Sequence, residues 1–411
     1  MKIKKAIQYT TFALLLCIEN LYAQDFKISP NTPVPEVHEF HDVWVTASET
    51  NGFLVTWCSD YRVGNMTAKD NYACRISNTG EILDNIAINI GGEPIWFWNC
   101  LSAVFLNGNW IIASQQDYFH EWVGVVRLSP SGEVLDSLPV NIFNSIGWAY
   151  LRYPVIETNG QEILCVAGIE DEGLYGSIFD SDLNILVERF LILADADAET
   201  AYRISANGNN FFITWLNWGD PSDSKIKLAI VNPAGEILSI QNVNEEWWLF
   251  KKRGAPTITT LNDTTYITYF ENSALNIRRY SSSGNPIDSE AVKIFESQDI
   301  DPILSETCFG VWAIAYTELV WANKYFRFFW PGVSEPGISM WSFKSDLSMS
   351  NNQPVLLNSQ CQIEFHYDQF GYSDSRSIIR GAAIGDTVLT AWIDGREEYP
   401  RVYGNMFDIN A

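Results

Sequence analysis

Short runs of alternating apolar and polar residues, separated by turns that contain glycine, recur along the whole chain. Residues 51–90 read NGFLVTWCSD, then a polar stretch, NYACRIS, the turn NTG and finally EILDNIAINI. Alternation with a period of two is typical of strands, and Asn-Gly or Ser/Pro-x-Gly between them is typical of hairpin turns. With an apolar run at residues 43–48 ahead of it, this stretch predicts four consecutive strands.

The same unit restarts six more times, and no stretch follows the period of a helix. Four strands per unit, at about 50 residues per repeat, are typical of a β-propeller. The sequence therefore predicts an all-β fold, a seven-bladed β-propeller with four-stranded antiparallel blades. In the sixth unit the strands are predicted near residue 303 and at 312–316, 338–343 and 354–357, with a long insertion between them. A two-sheet sandwich is the alternative, but it does not account for seven repeats of one pattern.

The two ends of the chain supply complementary parts of one predicted blade. The seventh unit has three strands and no fourth, whereas residues 25–34 resemble the last strand of a unit that they do not otherwise have. Pairing the two ends would close the ring and remove an exposed sheet edge. We therefore predict a single propeller domain over residues 24–411, in which residues 24–35 form the closing strand and residues 36–411 form the blades.

Residues 1–23 have the composition of a signal peptide. Basic residues precede an apolar segment, and residues 21–23 fit a cleavage site. A lipoprotein signal that uses Cys17 is the alternative, and Leu16 disfavours it because a small residue is expected there. No later stretch has roughly 18 unbroken apolar residues, so we expect no membrane span. The protein is predicted to be exported, and to be secreted, periplasmic or on the cell surface.

The chain carries 50 acidic residues against 26 Lys+Arg, which gives a formal net charge of −24. Such an excess of acid offers no basic footprint for nucleic acid or for an anionic membrane surface. It suits neutral or cationic partners and also calcium, for which Asp195 and Asp197 are candidate ligands, although their spacing is not that of an EF-hand loop. We expect a monomer without a cofactor, with calcium left open.

Six of the seven cysteines follow the predicted signal peptide, and export would permit disulfides. Cys58 and Cys74 fall on two successive strands of one predicted hairpin, where they could face each other and form a bridge. The other four fall in or near strands of different units, where buried free thiols are expected. No Cys-x-x-Cys sequence or Cys/His cluster has the spacing of a zinc site.

Antiparallel strands would divide the connections of a propeller between two faces. One face would carry the short glycine turns, and the other would carry the longer second-to-third loops and the links between blades. Aromatic residues are concentrated in the longer connections, where they could stack on sugars or clamp a peptide. The alternative is that each ring packs between blades. The tryptophans chosen as candidate ligand-binding residues are Trp96, Trp98, Trp148, Trp247, Trp248 and Trp330.

The charged candidates come from two patterns. A Trp followed by an Asp and, two residues later, an Arg occurs around Asp60 and around Asp394. These carboxylates would either surround the channel mouth or cap the turn and pair with arginine. Four arginines lie near the starts of predicted first strands, where they could bind a carboxylate together. They are Arg152, Arg203, Arg253 and Arg380, of which the first two are chosen as site residues.

The pattern Trp-x-(x)-Asp-x-Arg, followed by a polar loop, a strand with Tyr and a glycine turn, resembles the propeller repeats of many exported bacterial proteins. Its carriers are Trp57, Asp60, Arg62 and Tyr72 in one unit and Trp392, Asp394, Arg396 and Tyr403 in another. The resemblance implies the fold and export.

Two families of propeller enzymes can be compared with this pattern. The Asp-box of sialidases, Ser-x-Asp-x-Gly-x-Thr-Trp, is absent, and the segment around Arg203 lacks the proline of their Arg-Ile-Pro signature. Propeller polysaccharide lyases pair a base with Tyr, and His120 or His366 could serve as that base.

Two functions of different classes follow from these features. The first is a non-catalytic exported propeller that binds a glycan or an extracellular protein through its aromatic and acidic loop face. The second is a carbohydrate-active hydrolase or lyase whose site lies at the channel mouth of that face. A catalytic site needs titratable groups that converge on one substrate position, so the placement of the carboxylates distinguishes the two.

Overall fold

The computed structural model describes the backbone of seventeen segments of the chain. These are residues 25–29, 37–63, 66–91, 101–116, 122–144, 151–169, 172–194, 202–216, 225–244, 256–271, 274–296, 318–322, 325–331, 338–348, 355–358, 379–394 and 401–408. All regular elements within them are β-strands, and they form seven four-stranded antiparallel sheets. The predicted all-β fold with four-stranded antiparallel blades is confirmed.

Six of these sheets are each built from four consecutive strands. The first contains β2 (Val37–Ser48), β3 (Gly52–Val63), β4 (Met66–Ile76) and β5 (Ile88–Asn89). The second contains β6 (Leu101–Leu106), β7 (Asn109–Gln116), β8 (Trp122–Leu128) and β9 (Val140–Asn144). The third contains β10 (Leu151–Thr158), β11 (Ile163–Ile169), β12 (Gly173–Phe179) and β13 (Ile185–Ala194). The fourth contains β14 (Tyr202–Asn207), β15 (Asn210–Leu216), β16 (Ile226–Val231) and β17 (Ile237–Asn242).

The fifth sheet contains β18 (Thr257–Leu261), β19 (Thr264–Glu271), β20 (Ala274–Ser281) and β21 (Val292–Glu296). The sixth contains β22 (Glu318–Ala322), β23 (Tyr325–Pro331), β24 (Ile338–Lys344) and β25 (Val355–Asn358). The remaining sheet is composite, because it joins β26 (Ile379–Ile384), β27 (Thr387–Asp394) and β28 (Arg401–Asp408) to the N-terminal strand β1 (Phe26–Lys27).

The first strand of each sheet in the ring contacts the first strands of both neighbouring sheets. β2 contacts β6 and β26, β10 contacts β6 and β14, and β18 contacts β14 and β22, which in turn contacts β26. The sheets therefore follow one another around a closed ring, and their first strands surround a central channel. This arrangement is that of a β-propeller.

The composite sheet closes the ring with hydrogen bonds between the two ends of the chain. Phe26 pairs with Gly404 and Lys27 with Tyr403. Beyond the strand, the backbone N–H groups of Ile28 and Ser29 donate to the carbonyl of Val402 at 2.9 and 3.1 Å. The predicted N-terminal closing strand is therefore present. Residue 24 and residues 30–35, which the predicted closing strand also includes, lie outside the described residues.

The predicted course of the sixth unit is wrong. The sequence predicts its first two strands near residue 303 and at residues 312–316, which lie outside the described residues, and predicts an insertion after them. Instead, β22 and β23, drawn from that segment, form the inner hairpin of the sheet. Both stretches are apolar and the connection between β22 and β23 contains no glycine. The local pattern therefore does not distinguish the two stretches. The pairing of β23 with β24 and the contact of β22 with β26 in the neighbouring sheet identify the strands.

The first unit also differs from its prediction, because β3 and β4 form a long hairpin where a polar loop was expected after residue 59. Val63 pairs with Met66, and Asp60 pairs with Lys69. Asp60 therefore lies within a strand. The sequence of this stretch resembles that of a loop because it lacks the continuous apolar run by which a buried strand is recognised.

The core lies between neighbouring sheets and is rich in large aromatic side chains. Trp57, Trp215 and Trp392 are fully buried and each occupies the sixth position of the second strand of its hairpin. The first packs with Leu389 and Ile393 of the composite sheet. Burial of these rings together with the aliphatic side chains around them is the main favourable term that holds the sheets together.

Cys58 and Cys74, whose bridging the sequence leaves open, are both buried free thiols. Cys74 pairs with Val55 rather than with Cys58, and Cys58 pairs with Asn71. Positions 55 and 58 are an odd number of residues apart and so face opposite sides of a strand. The two thiols accordingly pack in different core clusters, on either side of the first sheet.

An arginine–aspartate pair repeats on the outer part of three sheets, in the sequence Arg-x-Ser-x-x-Gly-x-x-x-Asp. The pairs are Arg75–Asp84, Arg127–Asp136 and Arg279–Asp288. In each, the backbone N–H, Nε and one terminal nitrogen of the arginine all donate to the same carboxylate. Each third strand is thereby fastened to the segment that follows its glycine turn.

The part of the chain that the structure describes contains no helix of the length and apolarity needed to cross a membrane.

Candidate ligand site in the central channel

The first strands of all seven sheets line a central cavity of about 420 Å³. This volume lies within the range of about 300–1,000 Å³ that is usual for small-molecule sites. Much of the wall is made of short side chains with hydroxyl groups, which are those of Thr46, Thr158, Ser205, Thr257, Thr259 and Thr260. Some hydroxyls bond to one another across sheets, as Ser205 Oγ and Thr260 Oγ1 do at 2.8 Å. The cavity is therefore polar but largely uncharged.

Two arginines belong to the wall at the same depth. Arg203 is the second residue of β14 and Arg380 is the second residue of β26, and both strands are six residues long. Within the ring of sheets, β14 and β26 stand on nearly opposite sides, separated by two sheets one way and three the other. The two arginines are thus presented across the channel, near the end where the links between sheets enter.

Neighbouring groups constrain both guanidinium groups. The Cζ atom of Arg380 lies 4.0 Å from the ring centroid of Trp44, and the Arg380 side chain is buried. A guanidinium in this position is attracted to the electron-rich face of the indole ring. The Nη1 atom of Arg203 donates to its neighbour's carbonyl oxygen, that of Tyr202, at 3.0 Å.

Trp44 supplies an aromatic surface to the same level of the wall. It stands four residues before the end of β2, which is the position that Arg203 and Arg380 occupy in their strands. Its indole Nε1 donates to the carbonyl of Ala103 in the next sheet at 3.1 Å. Trp44 thus contacts both neighbouring sheets, so its ring is held in a fixed orientation. Sequence reasoning missed this residue, and its shared register with the two arginines was the available signal.

Glu157 is the carboxylate of the described cavity wall and lies nearer the turn end, as the next-to-last residue of β10. The backbone N–H of Thr158 donates to its Oε1 at 3.0 Å. The side chain touches the cavity but is otherwise enclosed by protein, and this burial raises its pKa to about 7. Sequence reasoning also missed Glu157. The available signal was an ionisable residue at the end of the apolar run at residues 153–156.

The structure brings one of the ten predicted site residues, Arg203, into the cavity wall. Three others have a described backbone but no described side chain, and they lie in strands: Asp60 in β3, Arg152 in β10 and Trp330 in β23. The remaining tryptophans lie outside the described residues, and these are Trp96, Trp98, Trp148, Trp247 and Trp248.

The last predicted residue, Asp394, is fully buried at the end of β27 and accepts a hydrogen bond from Trp392 Nε1 at 2.9 Å. Asp60 and Asp394 are not equivalent, because they follow the equivalent residues Trp57 and Trp392 at distances of three and two positions. The shared Trp–Asp pattern therefore does not place the two carboxylates at the same depth in their sheets.

Metal ligands do not cluster within the described residues, where no group of three or more His, Cys, Asp or Glu side chains could hold an ion. The candidate calcium ligands Asp195 and Asp197 lie outside the described residues, as do His120 and His366.

Comparisons with known proteins leave the activity of this chain open. No family model matches the sequence, and neither does any curated protein. Among solved structures, the chain is similar to prolyl oligopeptidase B from Galerina marginata at 10% identity and a TM-score of 0.46, over 86% of this chain and 47% of that one, so it spans about half of that protein's length.

Two other similar structures have a length close to that of this chain. One is an α-L-arabinofuranosidase, Arb93A from Fusarium graminearum, at 9% identity and a TM-score of 0.45, over 95% of this chain and 98% of that one. The other is an α-L-arabinanase from Penicillium chrysogenum, at 10% identity and a TM-score of 0.45, over 95% and 99%.

Proposed function

We propose that this protein is an exported propeller that binds a carbohydrate in its central channel. The observation that carries the proposal is the composition of one cavity level, where a fixed tryptophan ring contacts Arg380, Arg203 stands on the nearly opposite side, and hydroxyl groups line the wall between them. The C–H faces of sugars stack on indole rings, and sugar hydroxyls bond to charged and hydroxyl side chains.

The tryptophans of the predicted connections between sheets suit the same proposal. Trp96 and Trp98 occur in the segment that leads into β6, Trp148 in the segment before β10, and Trp247 and Trp248 in the segment before β18. The starts of these strands are at the end of the channel where Arg203 and Arg380 lie. We propose that these rings extend the binding surface from the cavity toward solvent.

A glycan array followed by calorimetric titration of any hit tests the proposal. Trp44→Leu should weaken binding about 5- to 150-fold, the effect of losing a hot-spot contact of about 1–3 kcal/mol. Trp44→Phe should retain most of the affinity because it keeps an aromatic face. Leu238→Ala, at an exposed position in β17, is the matched control and should bind as the parent does. Equal affinities for Trp44→Leu and the parent would refute this location.

A second candidate function, glycoside hydrolysis, is favoured by Glu157. A carboxyl group whose pKa is raised to about 7 in a cavity is suited to act as a general acid. Glycosidases use a pair of carboxylates, and Glu157 is the one that the described part of the wall supplies. Hydrolysis would therefore require a second acid from a part of the chain that the structure does not describe.

Incubation of each array hit with the protein, followed by product analysis, separates the two functions. For a hydrolase, the parent should release shorter sugars, and Glu157→Gln should bind the glycan but release none. Unchanged glycan after prolonged incubation with the parent would reject hydrolysis and leave carbohydrate binding as the function.

A further inference from the structure

We propose that the carbohydrate taken by this cavity is an acidic sugar, whose carboxylate binds at the level of Arg203 and Arg380; this deepens, and rests on, the proposed carbohydrate-binding function.

The charge of the cavity is the opposite of the charge of the molecule. The chain as a whole carries a formal net charge of −24. The charged side chains of the described cavity wall are nevertheless two arginines and one glutamate. An acidic protein repels anions at long range, so it gains selectivity for an anion only where cations are concentrated locally. The channel is such a place, and a low-dielectric interior strengthens the attraction.

Arginine is also the side chain whose shape fits a carboxylate. Its planar guanidinium presents N–H donors in a fork that matches the two oxygens of a carboxylate. In Arg380 this fork lies over the ring of Trp44, with Cζ 4.0 Å from the ring centroid. This contact restrains the guanidinium, whose N–H groups donate hydrogen bonds in the plane of the fork.

The rest of that level suits the sugar ring to which such a carboxylate is attached. Thr257 stands four residues before the end of β18, at the depth of Arg203 in the adjacent sheet. Glu157, Ser205 and Thr259 lie closer to the turn end. The cavity therefore has a cationic level near the links between sheets and a hydroxyl-and-carboxyl level below it. A ligand with a carboxylate at one end and hydroxyls at the other would match this order.

Calorimetric titration with matched pairs of sugars tests the inference. The probes are D-glucuronate against D-glucose and D-galacturonate against D-galactose, which differ at a single carbon. The acidic member of at least one pair should bind about tenfold tighter or better, which corresponds to about 1.4 kcal/mol. Raising the salt concentration should reduce this preference because ions screen the charge.

Variants of the two arginines assign the preference to the proposed site. Arg203→Gln removes one charge, whereas Arg380→Lys keeps the charge and loses the planar fork. Each should reduce the acidic preference by about fivefold or more while changing affinity for the neutral sugar less than about twofold. Arg189→Gln is the matched control, because Arg189 also stacks on an aromatic ring, that of Tyr175, but lies on an outer strand.

The outcomes separate the two proposals. If neutral and acidic sugars bind equally, the acidic assignment is wrong and carbohydrate binding stands. If no sugar pair and no array glycan binds, the proposed function fails and the acidic assignment fails with it. An acidic preference that survives both arginine variants would place the site elsewhere and overturn the inference. Melting curves establish whether each variant is folded. If Arg380→Lys does not fold, Arg203→Gln alone decides whether the acidic preference belongs to this level of the cavity.

Discussion

The carboxylate of Asp394 is fully buried and accepts a hydrogen bond from a side chain of its own strand. Side chains two residues apart on a strand face the same side, and this brings Trp392 Nε1 to 2.9 Å from Asp394 Oδ2. This hydrogen bond pairs a buried indole N–H with one oxygen of a buried carboxylate. Of the two interpretations of this residue, ligand binding and local structure, the contact favours the structural one.

We expect Asp394→Ala to lower the free energy of unfolding by about 1–3 kcal/mol, because it removes the acceptor of a buried indole N–H. Asp394→Asn should cost less, since an amide oxygen can still accept. Denaturant unfolding measures both. Glu290→Ala, which removes an exposed carboxylate, is the control and should change stability by at most about 0.5 kcal/mol. Stability equal to that of the parent in Asp394→Ala would mean that the hydrogen bond contributes nothing.

Glu157 should make stability depend on pH. Its folded-state pKa is raised from 4.5 to about 7, so between these values the folded protein keeps a proton that the unfolded chain has released. Stability from this group is therefore present at low pH, falls as pH rises through that window and is constant above it.

Melting temperatures of the parent and of Glu157→Gln at pH 5 and pH 8 measure this effect. The variant mimics the protonated side chain at every pH. The two proteins should melt at similar temperatures at pH 5, and the parent should melt at a lower temperature than the variant at pH 8. Because both share all other titrating groups, the difference between them isolates Glu157. The same difference at both pH values would show that Glu157 does not titrate in this window.

At the scale of strands and turns, the arginines of the three arginine–aspartate pairs also contact the next sheet, in addition to fastening the third strand of their own sheet. Arg75 Nη1 donates to the carbonyl of Pro130 in the next sheet at 2.5 Å, and Arg279 Nη1 reaches the carbonyl of Ser345 in the next sheet at 3.5 Å. In the fourth sheet, which lacks this pair, Gln241 Nε2 donates to the carbonyl of Gly284 at 2.8 Å. The outer parts of neighbouring sheets are thus connected through the turn that follows each third strand.

A double-mutant cycle measures one of these pairs. Arg75 and Asp84 have side chains that are 13% and 8% exposed and are joined by several hydrogen bonds, so their coupling should reach about 1.5–3 kcal/mol. Alanine replacements, singly and together, provide the cycle.

The contact between Arg127 and Asp182 is the natural control, because it spans 3.5 Å and Asp182 is 78% exposed. Its coupling should be at most about 1 kcal/mol. Equal coupling in the two cycles would indicate that burial and geometry do not set the strength of these links.

The hairpins were predictable because their signals are local. Asn-Gly and Ser/Pro-x-Gly turns mark the chain reversals, and Gly80, Gly132 and Gly284 have the positive φ that such turns require. The sixth sheet was misplaced because its inner connection has no glycine. At Leu183 and Leu347, a leucine adopts the positive φ usual for glycine in equivalent turns, so residue type alone does not identify these turns.

At the scale of the whole molecule, the ring depends on a short contact between the ends of the chain. Ile28 is fully buried and packs in a core cluster with residues of both the first and the composite sheets, such as Val43 and Leu389. Gly404, which pairs with Phe26, lies against the Ile28 side chain, and a Cβ atom at Gly404 would collide with that side chain. The N-terminal segment thus contributes a buried side chain as well as backbone hydrogen bonds.

We expect Ile28→Ala to lower the free energy of unfolding by about 2–5 kcal/mol, the usual cost of removing a buried isoleucine side chain. Lys27→Ala, at the adjacent exposed position, is the control and should cost at most about 0.5 kcal/mol. Thermal or denaturant unfolding provides the comparison. If the two variants are equally stable, the closing segment does not support the ring.

The amino-acid sequence by itself determined the strands, most of their hairpins, the repetition of the unit and the pairing of the two chain ends. These features depend on alternation and turn chemistry within a few tens of residues, and on one unit that was visibly incomplete. The tertiary structure decided which residues share a wall. Trp44, Glu157, Arg203 and Arg380 belong to four different units, and whether they meet depends on register and depth in a ring of sheets. Cys58 and Cys74 show the same limit. The residue that pairs with Cys74 is Val55, three positions before Cys58, so the two thiols face opposite sides of the sheet.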